Sequence, residues 1–342
     1  MNIDDWIAEK IGLPDGEALT RSALEAWQIR KLRETLEHVC ERSSFYRERL
    51  SALVNNFEIT SLDYLEKLPF TTSADLASAG TAMVCVSASE IGRIVTLPTT
   101  GTTGTPKRVW FTDTDQELMT DYIHHGLPVM TGVEDVFLVL MPCERPGSVG
   151  DLVSIGVERI GSRVLRVGVI PPDGSRDEEI LDIMRREGVT TGLATAHTAA
   201  RLAKKSESDA IIQKNMRTIL LSAQYVSDKE KADIERIWGC RVYEHYGMTE
   251  MGLGGAMACE ARVGYHPREA DILFEIIDPD TGKVLPEGKW GEIVFTTLTR
   301  HAMPLIRYRT GDFSRWLPGS CACQSVLKWL DKVGNRAESK AY

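Results

Sequence analysis

From about residue 93 to residue 243, short β-rich runs alternate with amphipathic helical stretches, and this rhythm limits the fold more than any other feature of the chain. The β-rich runs cover 94–97, 109–112, 136–141, 164–167, 218–221 and 241–243; the helical patterns cover 113–125, 151–160, 178–187 and 227–238. Parallel strands need long crossover connections, and helices are the usual crossover, so the alternation predicts a mainly parallel sheet flanked by helices. Upstream, 18–50 reads as a helix, with Leu19, Leu24, Trp27, Leu32, Leu36 and Val39 mostly three or four residues apart. In LPFTTSADL either Thr72 or Ser73 is placed to cap a short helix. Beyond about residue 259 the helical patterns stop. Strand-like runs at 271–277, 291–298 and 305–308, with a turn at 279–282, predict a small antiparallel subdomain. The expectation is an α/β core over 1–258 and a small β subdomain over 259–342, together one continuous domain.

The 342 residues carry a formal net charge of −9, which argues against a nucleic-acid surface. No stretch approaches the roughly 18 consecutive apolar residues of a membrane span, and the acidic N-terminus has no apolar signal core. No membrane partner is expected, and the cytoplasm is the default location. The seven cysteines, Cys40, Cys85, Cys143, Cys240, Cys259, Cys321 and Cys323, are an odd number widely spread. That fits reduced thiols, some of them free to bind metal, rather than a disulfide framework.

The segment 99–107, TTGTTGTPK, interleaves hydroxyls with glycines and ends on a lysine between two β-rich runs. Glycines let backbone N–H groups close on an anion, threonines add donors, and Lys107 adds charge. The spacing is not that of the Walker loop, since Thr-Pro-Lys follows Gly104. By itself the segment fits a phosphate cradle and a polar hairpin turn equally.

With this loop, Tyr246-Gly247-Met248-Thr249-Glu250 and Arg307-Tyr308-Arg309-Thr310-Gly311-Asp312, the chain resembles the acyl-CoA synthetase and adenylation-domain superfamily. The flanks SSFYRERL, LPFTTSADL and GEIVFTTLTRHAMPLIRYRTGDFSRWLPGSCAC narrow the resemblance to its phenylacetate–CoA ligase branch, over about 31–336. It implies the large N-terminal domain of an adenylate-forming enzyme, with 1–258 as the nucleotide- and acid-binding core. The implied reaction is ATP-dependent activation of a carboxylic acid, with an aromatic acid fitting the branch. In the same way Thr100, Gly101, Thr102, Thr103, Gly104 and Lys107 are implied to hold the ATP β- and γ-phosphates. Tyr246 would line the adenine pocket with Gly247 and Met248 beside it, Thr249 would bond the α-phosphate, and Glu250 would hold Mg²⁺. Asp312 would accept from the ribose hydroxyls, and Arg336 would touch ribose or phosphate.

The acid pocket is implied to be bordered by 121–126, His197 and Ser222-Ala223-Gln224, where the family commonly has Gly-Ala-Glu. His124 and His125 fit either a substrate role or ordinary helix packing. Cys259 and His266, with Cys321 and Cys323 far downstream, could make a tetrahedral structural zinc site or stand as four unrelated side chains; the branch often carries this Cys/His pattern.

Full enzymes of the family continue into a small domain that carries a catalytic lysine and guides the acceptor thiol. The sequence ends where that hinge is expected, and Lys340 does not match the lysine, so thioester formation with coenzyme A is in doubt. Two alternatives stay open: a non-catalytic nucleotide- or acid-binding homologue, and a subunit completed in trans by a small partner. Homodimers are common in this branch.

Overall fold

The computed structural model describes residues 3–54, 59–97, 106–223 and 225–335. The chain divides into two compact units, one of 1–117, 248–255 and 266–342, the other of 118–247 and 256–265.

The first unit opens with α1 (Ile3–Lys10), α2 (Arg21–Arg42) and α3 (Ser44–Val54). The single helix expected over 18–50 is thus two. Ser43 is extended between them (φ −99°, ψ 123°), its hydroxyl accepting from Tyr46 N–H at 3.2 Å and donating to the Ala82 carbonyl at 2.7 Å. A residue that caps the next helix with its own side chain competes with helix continuation, and here it wins. Leu24, Leu32, Leu36 and Val39 are fully buried, as the periodicity requires. Thr72 caps α4 (Ser73–Ala79) through a reciprocal box with Asp75. Next come β1 (Arg93–Leu97) and β2 (Lys107–Phe111), paired antiparallel with Leu97 opposite Lys107. Helix α5 (Asp113–Gly126) begins in this unit and runs into the second.

The second unit supplies β3 (Val136–Val139), α6 (Val149–Ile160), β4 (Arg163–Arg166), α7 (Asp177–Glu187), β5 (Thr191–Ala194), α8 (Ala196–Lys205), α9 (Ala210–Asn215), β6 (Thr218–Leu221), α10 (Asp228–Trp238), β7 (Arg241–Tyr246) and β8 (Ala256–Met257). Its strands lie in the order β4-β3-β5-β6-β7-β8, parallel from β4 to β7 with β8 antiparallel to β7. Strand β5 was not expected. Its sequence, TGLA, is short and small, yet all four residues are buried between β3 and β6. Small size is the requirement there: a side chain at Gly192 would meet the Leu138 carbonyl oxygen at 3.1 Å. Ile180, Leu181, Ala199, Leu202, Ile234 and Trp238 pack the helices into one apolar cluster with Leu138, Ile219, Leu221 and Val242 of the sheet.

The chain then returns to the first unit with β9 (His266–Pro267), β10 (Ile272–Ile277), β11 (Gly291–Thr297), β12 (Tyr308–Ser314) and β13 (Gly334–Asn335). The last four form an antiparallel sheet in chain order, the small sheet expected. The strand expected at 305–308 instead starts where that run ends. Arg307 sits in the left-handed region (φ +46°) and interrupts the extension. Its guanidinium is buried against Glu275, at 2.8 and 3.0 Å, and donates to the Leu68 carbonyl at 2.9 Å. Burial raises the Glu275 carboxyl above its usual range in spite of Arg307.

Candidate active site

Each residue of the first-unit cluster is positioned by a different local device. Lys107 is the first residue of β2, directly after the Thr/Gly segment. Glu250 lies in a single 3₁₀ turn, Thr249–Met251, closed by Gly252 at φ +82°. Tyr308 begins β12, and Thr71 brackets it, its N–H donating to the Arg307 carbonyl and its own carbonyl accepting from Arg309 N–H. The fold brings the three together: Lys107 Nζ donates to Glu250 Oε1 at 2.7 Å, and Tyr308 Oη donates to the same oxygen at 3.2 Å. Glu250 is 2% exposed, so its charge is shielded from water and depends on these donors. Burial, the Glu250 charge and Asp312 push the Tyr308 phenol far up, so it stays a protonated donor. Glu250 Oε2 receives no hydrogen bond from a described residue, which leaves one carboxylate oxygen for a hard cation.

Arg300 backs this cluster and was not singled out from the sequence. Its Nη1 donates to the Glu250 backbone carbonyl, its Nη2 to that of Trp110 at 3.4 Å, and its guanidinium stacks 4.3 Å from the Phe111 ring. Burial lowers it to about 10, with Asp115 and Glu250 pulling upward against neighbouring Arg268. The neighbouring His301 and Ala302 N–H groups are held by Asp115, at 2.7 and 2.9 Å. The signal was the TRHA segment inside the branch-like stretch, but nothing local in TRHA tells a site arginine from a surface one.

Asp312 follows a kink in β12. Gly311 has φ +77°, its N–H donates to Glu292 Oε1 at 3.1 Å, and Asp312 N–H donates to Thr310 Oγ1 at 3.0 Å. That geometry needs glycine at 311 and takes Asp312 out of register with β11, while Asp312 stays paired with Asn335 of β13.

The Tyr246–Glu250 motif is shared between the two units, which divide after Gly247. Tyr246 ends β7 in the second unit and is 8% exposed. Ser222 follows β6, with its hydroxyl 3.3 Å from His245 Nδ1, and Ala223 takes the left-handed φ of +68°. The ends of β6 and β7 are the carboxyl edge of a parallel sheet, where such folds hold ligands. Strain at a non-glycine residue there marks an over-determined position. On α5, His125 Nε2 is 3.3 Å from Asp121 Oδ1 and its ring meets that of His124 edge-on at 4.5 Å. His124 Nδ1 is buried with no hydrogen-bond partner among the described residues. His197 is exposed near the start of α8. Thr100, Gly101, Thr102, Thr103, Gly104, Gln224, Arg336 and Lys340 lie outside the described residues.

His266, Cys321 and Cys323, all in the first unit, each bring a ligand atom within 4.8 Å of the others. His266 Nδ1 is 3.0 Å from the Lys328 carbonyl, an acceptor only, so Nδ1 carries the proton and donates. Its Nε2 is then the lone-pair nitrogen, 3.3 Å from Cys323 Sγ. Burial lowers the His266 pKa, which keeps the ring neutral. A neutral imidazole fixed through its other nitrogen, beside two thiols, is chemically suited to supply three donors to a zinc ion. Cys259 belongs to the second unit and stands seven residues before His266 along the chain.

The model of the AMP-binding enzyme family matches residues 59–299. The chain belongs to that family. Within it, the phenylacetate-coenzyme A ligase of Pseudomonas putida is 31% identical over 339 residues, covering 97% of this chain and 74% of the relative. The phenylacetate-coenzyme A ligase of Thermus thermophilus is 30% identical over 317 residues, covering 91% and 69%. The open conformation of 2-hydroxyisobutyryl-CoA ligase superposes with a TM-score of 0.82 at 20% identity, over 93% of this chain and 71% of that one, a likeness of fold. This AMP-binding enzyme is accordingly an AMP-forming acid ligase of the phenylacetate–CoA ligase branch, and it uses ATP to activate a small carboxylic acid. Among the described residues, no helix is long and apolar enough to cross a membrane.

Proposed function

We propose that the enzyme joins an aromatic carboxylic acid to the α-phosphate of ATP. A carboxylate oxygen forms the new P–O bond, the bond to the β-phosphate breaks, and pyrophosphate leaves with its electrons, giving an acyl-adenylate. The observation that carries this reading is the buried Lys107–Glu250–Tyr308 cluster at the end of the hairpin strand that follows the Thr/Gly loop. The aromatic class follows the substrate named for the relatives.

Two anions must meet in this reaction, so the site has to offset charge. In this reading Lys107, with Thr100, Gly101, Thr102, Thr103 and Gly104, binds the β- and γ-phosphates, Thr249 donates to the α-phosphate, and Arg336 touches ribose or phosphate. Glu250 holds Mg²⁺ through its remaining oxygen, and the ion when bound supplies charge neutralisation at the phosphates. Tyr308 and Arg300 keep the Glu250 turn in place. Tyr246, with Gly247 and Met248, lines the adenine pocket, and Asp312 accepts from the ribose hydroxyls. Ser222, Ala223 and Gln224 border the acid, as do Asp121 to Gly126 and His197. Zinc belongs to the same reading, on Cys259, His266, Cys321 and Cys323, as a structural ion.

ATP–pyrophosphate exchange over a panel of aryl and aliphatic acids with Mg²⁺ tests the proposal. Exchange supported by an arylacetic or benzoic acid is expected. Silence across the panel, with AMP still bound, would sink adenylation as the activity of this chain. Adding coenzyme A to the productive mixture reads whether the acyl group passes on to a thiol.

A further inference from the structure

The turn that carries Cys321 and Cys323 is the far end of an excursion whose near end is the strand of Asp312. The chain leaves the sheet after Ser314 and returns at β13, where Asn335 pairs with Asp312 and Gly334 with Phe313. Between these points the two arms are tied side by side. Arg315 Nε donates to Asp331 Oδ2 at 2.8 Å, Leu317 N–H to the Trp329 carbonyl at 2.9 Å, and Trp316 bridges Leu330. At the far end Gln324 is left-handed (φ +64°) and its N–H donates to the Cys321 carbonyl at 2.9 Å. The returning arm meets the rest of the unit at Ser325 and Val326, whose hydroxyl and N–H donate to the Asp4 carboxylate at 2.6 and 3.0 Å, and at Lys328, whose N–H donates to Glu269 Oε1 at 2.6 Å and whose carbonyl accepts from His266 Nδ1.

Among the described residues β13 is two residues long, so its place there leans on the chain that delivers it. Its seat beside Asp312 therefore depends on the order of the excursion. A cross-link between the far turn and His266 removes conformational freedom from both arms at once. The His266 ring is common to the two ends of this linkage, with Nδ1 on the returning arm and Nε2 toward the thiols.

We propose that metal at His266, Cys321 and Cys323 and nucleotide at Asp312 are thermodynamically coupled, zinc at the far turn seating β13 against Asp312 and so tightening the ribose contact. The inference rests on the zinc and ribose roles proposed above. Coupling between sites is reciprocal, so AMP must tighten zinc by the factor by which zinc tightens AMP.

The experiment is calorimetric titration of AMP into protein as purified, stripped by a chelator, and reloaded with zinc. Stripping is expected to weaken AMP by about 5- to 150-fold, the usual span of such coupling, and reloading to restore it. Zinc affinity, read by a competing chromophoric chelator, is expected to rise by the same factor under saturating AMP. Cys323→Ser should reproduce the weakening. Asp312→Ala should weaken AMP while zinc stays bound and indifferent to AMP. If stripping unfolds the protein by circular dichroism, the zinc competition with and without AMP, run on loaded protein, decides. Equal AMP affinity with and without bound zinc, or zinc affinity unmoved by AMP, overturns the coupling and leaves the metal reading standing. Protein that takes up no zinc overturns both, and zinc-loaded protein with no affinity for AMP overturns the adenylation reading instead.

Discussion

Lys107 and Glu250 stand 143 residues apart in sequence and meet as a 2.7 Å ion pair with the carboxylate almost wholly buried. The pair joins the strand after the Thr/Gly loop to the turn of the Tyr246–Glu250 motif. Its partner Tyr308 adds the third sequence motif to the same carboxylate. One oxygen atom of Glu250 is thus where three separate stretches of the chain converge.

Glu250→Gln keeps the size of the side chain and removes its charge. Pyrophosphate exchange is expected to fall by about 100- to 1,000-fold, the usual cost of losing one preorganised electrostatic group. Lys107→Met should fall comparably. Both should keep wild-type circular dichroism; a variant with exchange within a few-fold of wild type would remove Glu250 from the proposed role.

Arg307 belongs to the third motif, yet its side chain holds the sheet together. Arg307→Ala leaves Glu275 buried without a partner and should cost about 3–5 kcal/mol in urea unfolding. Replacing both, as Arg307→Met with Glu275→Leu, should recover most of that loss. A double variant no better than the single one would show that Arg307 acts through the Glu66 and Leu68 carbonyls instead.

Asp271 supplies a pH dependence with a definite sign. It is 2% exposed, and burial raises its pKa, but Lys10 at 2.9 Å, Arg268 and the Thr299 hydroxyl outweigh burial and leave it lowered. A folded pKa below the unfolded one stabilises the protein above the ordinary aspartate value of about 4, and the gain is lost as pH falls through the folded value. Lys10→Met should lose about 2 kcal/mol at neutral pH, the scale of a charged hydrogen bond. The wild-type and variant stability curves should converge in acid. Parallel curves down to pH 2 would count against the assignment.

Elemental analysis of protein purified without added metal is expected to find zinc in stoichiometric amount. Cys321→Ser should lack it and melt several degrees lower, since a structural zinc contributes directly to folding free energy. Zinc retained in full by both Cys321→Ser and Cys323→Ser would rule out this cluster as its seat.

Much of the architecture was legible because it is local. The strand–helix alternation, the Thr72 cap and the period of α2 each depend on residues a few positions apart, and the structure reproduces them. The errors also have local causes. Ser43 divides the first long helix with a side-chain cap, Arg307 delays β12 by its left-handed backbone, and β5 hides in four small residues. Of the candidate site, residue types and order were readable, so Lys107, Glu250, Asp312 and the Cys/His group could be named. Arg300 could not, because its task is set by what surrounds it: a backbone carbonyl, an aromatic face and burial.

By itself, then, the sequence determined the α/β class, the motifs of an AMP-binding enzyme and the chemical types of its charged residues. Only the tertiary structure decided which of them meet. It set Lys107 and Tyr308 on one oxygen of Glu250, and turned His266 so that one nitrogen binds a carbonyl and the other faces a thiol. Those meetings depend on strand register and burial over separations of 57 to 143 residues, and no local spacing rule reaches that far.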